Sequence, residues 1–155
     1  MSKRSTTHAT FAIERTYHAP PARVFHAWAD PAAKARWFGP SAMETGHTLE
    51  FEVGGRERLH IEAPDGSTYT FGAVYQDIVE DLRIIYSYEM LHNGLRISVS
   101  LATVELQEHD GGTLLRFTEQ GAFLDGHDTP SVREEGTRSL LEALAAELHG
   151  GKLEG

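Results

Sequence analysis

The feature that most constrains this chain is a series of short alternating segments from Leu49 to Phe117, followed by a single long amphipathic segment. Successive side chains of a strand point to opposite faces, so apolar residues at every second position mark half-buried strands. The apolar phases are Leu49-Phe51-Val53, Leu59-Ile61, Tyr69-Phe71-Ala73-Tyr75, Leu82-Ile84-Tyr86-Tyr88-Met90, Leu95-Ile97-Val99-Leu101 and Leu115-Phe117. Turn residues separate them. Gly54-Gly55 reads as a two-residue hairpin, Pro64-Asp65-Gly66-Ser67 as a turn, Glu80-Asp81 as a weaker break, and Asn93-Gly94 as the strongest hairpin signal. After Leu101 the phase changes to Val104 and Leu106, which predicts a bulge near Ala102-Thr103. Asp110-Gly111-Gly112 turns into the last strand. An earlier alternation, Phe11, Ile13 and Tyr17 interrupted by Arg15, adds a first strand and makes seven.

Between the first strand and the rest lie two short helices. Pro20-Pro21 stops the strand, and Val24, Phe25 and Trp28 recur at helical spacing. Asp30 is placed to cap a second helix with Pro31 at its first position and Trp37-Phe38 at its end, before Gly39-Pro40 breaks it. The long segment opens at Thr129-Pro130 and closes at Gly150-Gly151. Val132, Gly136, Leu140, Leu141, Leu144, Ala145 and Leu148 mark its apolar face; Arg133, Glu134, Arg138, Glu142 and Glu147 mark the polar one.

That helix is about 27–30 Å long, close to the width of six strands at about 4.8 Å spacing. It crosses the sheet without covering it. The predicted architecture is therefore α+β: a curved seven-stranded antiparallel sheet wrapped around the C-terminal helix, with the two short helices closing the remaining opening. Such an arrangement leaves an interior cavity. Its expected lining is Phe71, Tyr86, Tyr88, Met90, Phe117, Leu140 and Leu144, with Trp37 and Phe38 near the mouth. Mostly apolar walls with a few polar groups are typical of small-molecule sites, although the same side chains would also serve as ordinary core.

Composition narrows the partners. The chain has 155 residues and no cysteine, so it has the size of one domain, expected over residues 8–149 with flexible tails at 1–7 and 150–155. Disulfides, thiolate metal sites and a thiol nucleophile are excluded. With 23 acidic against 14 basic side chains and a formal charge of −9, nucleic acid is not an expected partner. No apolar run approaches the ~20 residues of a membrane span, and the first five residues lack the apolar segment of a secretory signal, so a cytoplasmic location is expected.

The opening residues resemble a known family. Arg15-Thr16-Tyr17-His18-Ala19-Pro20-Pro21, Val24-Phe25-His26-Ala27-Trp28-Ala29-Asp30-Pro31 and Ala35-Arg36-Trp37-Phe38-Gly39-Pro40 are similar to the opening signature of proteins like the activator of the heat-shock protein 90 ATPase. These belong to the START-like (SRPBCC) superfamily, with the birch pollen allergen, lipid-transfer domains and aromatic polyketide cyclases. Val104-Glu105-Leu106 with Gly111 to Leu115 resembles the family's last hairpin, and Gly136 to Leu148 its closing helix. The resemblance runs from about Phe11 to Leu148 and implies a helix-grip fold without implying one function. Thr137 stands where the family often has Trp after the helix glycine, which implies a wider or more polar pocket floor. Eukaryotic chaperone activators carry a separate N-terminal domain, whereas this chain begins almost directly at strand one, so chaperone stimulation is not carried over.

Two charged candidates stand out. Arg15 is in phase with Phe11 and Ile13, and Glu119 with Leu115 and Phe117, so both are expected to point inward; the helix-grip order that the resemblance implies makes the first and last strands neighbours, so the two are expected to pair at one end of the cavity. A buried carboxylate there would orient a ligand or act as a base; the alternative is a structural ion pair. Asp125-Gly126-His127-Asp128 collects acids and an imidazole before the last helix, either at the pocket mouth or as a turn in which Asp128 or Thr129 caps the helix. Nine histidines, among them His60, His92 and His109, form no close ligand pair, so no metal is expected. No nucleophile elbow, phosphate loop or dinucleotide fingerprint appears, and neither a cofactor nor a catalytic residue is assigned. The leading expectation is a binder of a hydrophobic, aromatic or lipid-like small molecule. A polyketide cyclase-type enzyme using Tyr86 or Tyr88 with Glu119, and a protein-interaction module, are the alternatives; homodimerisation is left open.

Overall fold

The computed structural model describes residues 4–39 and 44–150. The elements are β1 (Thr6–Tyr17), α1 (Pro21–Ala29), α2 (Pro31–Trp37), β2 (Glu44–Leu49), β3 (Arg56–Glu62), β4 (Thr68–Val79), β5 (Arg83–His92), β6 (Leu95–His109), β7 (Gly112–Leu124) and α3 (Pro130–Gly150). All seven strands form one curved antiparallel sheet in the order β1-β7-β6-β5-β4-β3-β2, with α3 against its inner face. The expected element order and the pairing of the first strand with the last are both found. Pro40, residues 1–3 and residues 151–155 of the expected break and tails lie outside the described residues, and β1 reaches back to Thr6.

Local chemistry sets most of the boundaries. Asp30 ends α1 with its N–H donating to the His26 carbonyl at 2.9 Å, and its carboxylate caps α2 by accepting from the Ala33 N–H at 2.9 Å. Asn93 and Gly94 take left-handed φ values of 51° and 81°, as a tight hairpin between β5 and β6 requires.

Two expectations are corrected. Gly54-Gly55 is not a two-residue hairpin, because β2 ends at Leu49 and β3 begins at Arg56. The Gly54 N–H donates to the Tyr75 carbonyl at 2.8 Å and the Tyr75 N–H to Gly55 at 3.0 Å, so the connection folds back onto β4. Phe51 leaves the strand register to pack edge-on against Phe25 and Tyr75. The bulge in β6 falls at Ile97, opposite the Met90-Leu91 step, and not near Ala102-Thr103. Alternation beyond it therefore turns Ser98, Ser100, Ala102, Val104 and Leu106 inward, and leaves Val99 and Leu101 44% and 37% exposed. The strand spends its best apolar residues on the outer face and presents serines to the interior.

Beneath α2 lies a fully buried ionic cluster. The Lys34 ammonium donates to Glu57 Oε1 at 2.7 Å and to the Tyr75 hydroxyl at 3.3 Å, Tyr75 donates to the same oxygen at 2.6 Å, and His47 Nε2 meets Glu57 Oε2 at 2.7 Å. The ammonium also sits 4.2 Å from the Phe38 ring centroid and 5.3 Å from that of Trp28. Burial alone would push the Glu57 carboxyl up; the Lys34 charge and the hydrogen bonds from His47, Lys34 and Tyr75 overcome it and hold the group at about 2. Burial pulls Lys34 below the ordinary lysine value, opposed by Glu57. The cluster ties α2 to β2, β3 and β4.

Lys34→Met would leave the buried Glu57 carboxylate without the Lys34 charge, held only by Tyr75 and His47, and is expected to lower unfolding free energy in urea by about 3–5 kcal/mol. The sign with pH follows from Glu57. Its carboxyl binds a proton more readily in the unfolded chain, so its contribution is complete above 4.5 and is lost as pH falls toward about 2. In Lys34→Met that loss is expected to begin at higher pH.

Candidate functional site

A cavity of about 440 Å³ opens between the inner face of the sheet and α3. Its walls come from the inward phases of β3, β4, β5 and β7, from Trp28, Trp37 and Phe38 of the short helices, and from Gly136, Thr137, Leu140 and Leu141 of α3. The aromatic rings brace one another. Trp28 and Trp37 meet edge-on at 4.8 Å, Phe38 packs on Phe71 at 5.0 Å, and Phe71 on Tyr88 at 4.9 Å. The Trp37 indole N–H donates to the Ala27 carbonyl at 2.9 Å, which fixes the ring across the α1–α2 corner.

Gly136 sits at the exposed rim of the cavity. A Cβ at this position would meet no atom within 4 Å, although it lies inside a helix, where glycine costs about 0.5–1 kcal/mol relative to alanine. Thr137 lines the same floor but donates its hydroxyl to the Arg133 carbonyl at 3.0 Å, so it adds little polarity there.

One end of the cavity is polar and is organised by Arg133. Its Nη1 donates to the Tyr88 hydroxyl at 2.9 Å and to Glu119 Oε2 at 3.0 Å; its Nη2 donates to Ser98 Oγ at 2.7 Å and to Asp128 Oδ2 at 2.6 Å. Glu119 Oε2 also accepts from the Tyr88 hydroxyl at 2.7 Å and from Ser100 Oγ at 2.6 Å. Glycine at 121 leaves the room this needs, because a Cβ there would come within 2.8 Å of Ser100 Oγ. Burial, reinforced by Glu119 and opposed by Arg133, raises the Tyr88 phenol above its ordinary value, so it remains a neutral donor. Burial likewise raises Tyr86. Glu119 Oε1 and the Trp28 indole nitrogen are buried and also lack a partner among them.

Of the residues expected at the site, Trp37, Phe38, Phe71, Tyr86, Tyr88, Met90, Phe117 and Leu140 line the cavity. Leu144 does not: it is fully buried in the core beside it. Glu119 points inward as expected but stands behind Tyr88 and Arg133, which line the wall in its place. The expected Arg15–Glu119 pair does not form. Arg15 bonds Glu142 on the exposed side of α3 and leaves Glu119 to Arg133. Around the last turn, Thr129 caps α3 by accepting from the Val132 N–H at 3.3 Å, while Asp128 lines the cavity and holds Arg133. No group of metal-ligating side chains gathers among the described residues.

Arg133 was expected on the outer face of the helix and is only 9% exposed, whereas Val132, expected inside, is 62% exposed. The signal was present: Arg133, Thr137, Leu140 and Leu144 recur at i, i+4, i+7 and i+11, one stripe of a helix. Ser98 and Ser100 were hidden by the misplaced bulge, since strict alternation backward from Val104 reaches both.

Residues 18–149 match the family described as Activator of Hsp90 ATPase homolog 1-like protein. Among solved structures, an uncharacterised protein from Rhizobium leguminosarum is 44% identical with a TM-score of 0.91, covering 95% of this chain and 98% of its own. A protein from Rhizobium loti is 49% identical with a TM-score of 0.87, covering 92% and 99% respectively. One from Chromobacterium violaceum is 28% identical with a TM-score of 0.78, covering 90% and 96%. No curated protein matches the chain. Among the described residues no helix is long and apolar enough to cross a membrane.

The two arginines give a direct check of the pairing. Arg133→Met would strand the Glu119 carboxylate in the interior and is expected to cost about 3–5 kcal/mol in urea unfolding. Arg15→Met removes a partly exposed pair and is expected to cost under about 1 kcal/mol. Equal losses would argue against Arg133 as the partner of Glu119.

Proposed function

The chain belongs to the Activator of Hsp90 ATPase homolog 1-like family, and from that premise we propose that it binds a hydrophobic, aromatic or lipid-like small molecule between its sheet and α3. The observation that carries this reading is the cavity itself. Its volume of about 440 Å³ falls within the range of small-molecule sites, its walls are chiefly aromatic and aliphatic, and its polar groups are gathered at one end. A core built only for stability would close such a space, because empty volume costs free energy in proportion to its size. The START-like helix grip supports the reading in the same way, since one helix across a wide sheet leaves room on its flank.

A second reading, proton transfer on a polyketide-like substrate by Glu119 with Tyr86 or Tyr88, draws on the unpartnered Oε1 of Glu119. It is the weaker of the two, because Glu119 does not line the cavity and both phenols are held neutral by burial. Stimulation of a chaperone ATPase rests on no residue of this site and is not proposed.

Phenylnaphthylamine, an uncharged fluorescent probe, is expected to brighten on binding the purified protein. Leu140→Trp and Gly136→Leu both project into the cavity and are expected to weaken uptake on the order of tenfold, while circular dichroism stays unchanged. Undiminished uptake in both variants would count against this pocket. Native mass spectrometry of protein purified without denaturation checks for a retained molecule. Gly136→Ala is expected to raise stability by about 0.5–1 kcal/mol, since the methyl group meets open space.

A further inference from the structure

An arginine lining an apolar cavity is the ordinary receptor for a carboxylate, because its fork presents paired N–H donors to an anion. In this protein the fork is already taken. Its terminal nitrogens carry four N–H bonds, and Tyr88, Glu119, Ser98 and Asp128 accept all four at 2.6–3.0 Å. Only Nε–H is left over, so an incoming anion could take the paired, forked contact only by displacing one of these acceptors; displacing Glu119 or Asp128 would leave a carboxylate without its partner in a buried site, which is costly.

The charge balance runs the same way. Besides the exposed imidazole of His127, this end of the cavity holds one guanidinium and two carboxylates, which sum to −1. Both carboxylates act only as acceptors. Glu119 Oε2 takes three donors, and Asp128 takes the Thr129 N–H at 2.8 Å as well as Arg133. The other buried cation near the wall, Lys34, is matched by Glu57. Tyr86, which lines the cavity and whose phenol burial keeps neutral, offers a hydroxyl that an uncharged ligand can use.

We propose that Glu119 and Asp128, by occupying and outnumbering Arg133, make the cavity select uncharged apolar ligands and reject anionic ones such as fatty acids or aromatic acids. Asp128, at the cavity wall, and Glu119, behind it, are specificity-determining residues. This rests on the small-molecule reading above and narrows its ligand class.

The test compares two probes with one aromatic scaffold, uncharged phenylnaphthylamine and its anionic twin anilinonaphthalene sulfonate, in mildly alkaline buffer where imidazoles are neutral. The wild-type protein is expected to bind the uncharged probe at least about tenfold more tightly. The two probes also differ in intrinsic hydrophobicity, so the deciding quantity is how their affinity ratio changes on substitution. Asp128→Asn keeps the shape and brings the charge sum to zero, and is expected to shrink the ratio by about threefold or more. Glu119→Gln is expected to act in the same direction; should it fail to fold, Asp128→Asn at the cavity edge carries the test alone. A wild-type ratio near or below one, or a ratio unchanged in folded Asp128→Asn, overturns the inference while leaving the binding reading intact. Binding of neither probe overturns the binding reading, and the inference with it.

Discussion

One helix about 10 Å across cannot cover a sheet whose seven strands span about 30 Å, and the rest of this structure follows from that mismatch. The sheet curls to bring its inner face toward α3, and even so a flank stays uncovered. Trp28, Trp37 and Phe38 of α1 and α2 close part of it, and the remaining volume is the cavity. Nothing in such an arrangement requires the space to stay empty, because bulkier side chains at Gly136 or Leu140 would fill it. Gly136, itself exposed, borders that space without filling it.

Two buried ionic clusters hold the elements around this chamber. Lys34 and Glu57 fasten α2 to the β2–β4 side, and Arg133, Glu119 and Asp128 fasten the start of α3 to the β5–β7 side. Each is dry enough that losing one partner costs far more than the pair contributes, so both serve chiefly to specify position. They differ in balance. The first is a matched pair sealed behind aromatic rings; the second carries an excess carboxylate and borders the cavity. The excess carboxylate lies at the polar end of the cavity.

Much of the architecture was legible in the chain. Period-two runs, the Asn93-Gly94 hairpin, the Asp30-Pro31 helix start and the long terminal helix depend on local backbone preferences that act wherever those residues occur. The aromatic wall was legible too, because its residues share one strand phase. The polar end was not. Its identification turns on Ser98 and Ser100 facing inward, and on Arg133 lying on the buried stripe of α3. Reading charged and small polar residues as outward is sound for most surfaces and fails where a cavity supplies buried partners.

The sequence by itself determined the strand count, the order of strands and helices and most of the apolar lining, because those follow from periodicity and turn chemistry that each segment carries alone; the pairing of the first strand with the last came from the family resemblance. Only the tertiary structure decided which charges meet. A bulge at Ile97 shifts β6 by one residue and so exchanges its two faces, delivering Ser98 and Ser100 to Glu119. The rotation of α3 then places Arg133, and not Arg15, against that carboxylate. Register and rotation are set by the fit of whole elements against one another, and no single segment encodes them.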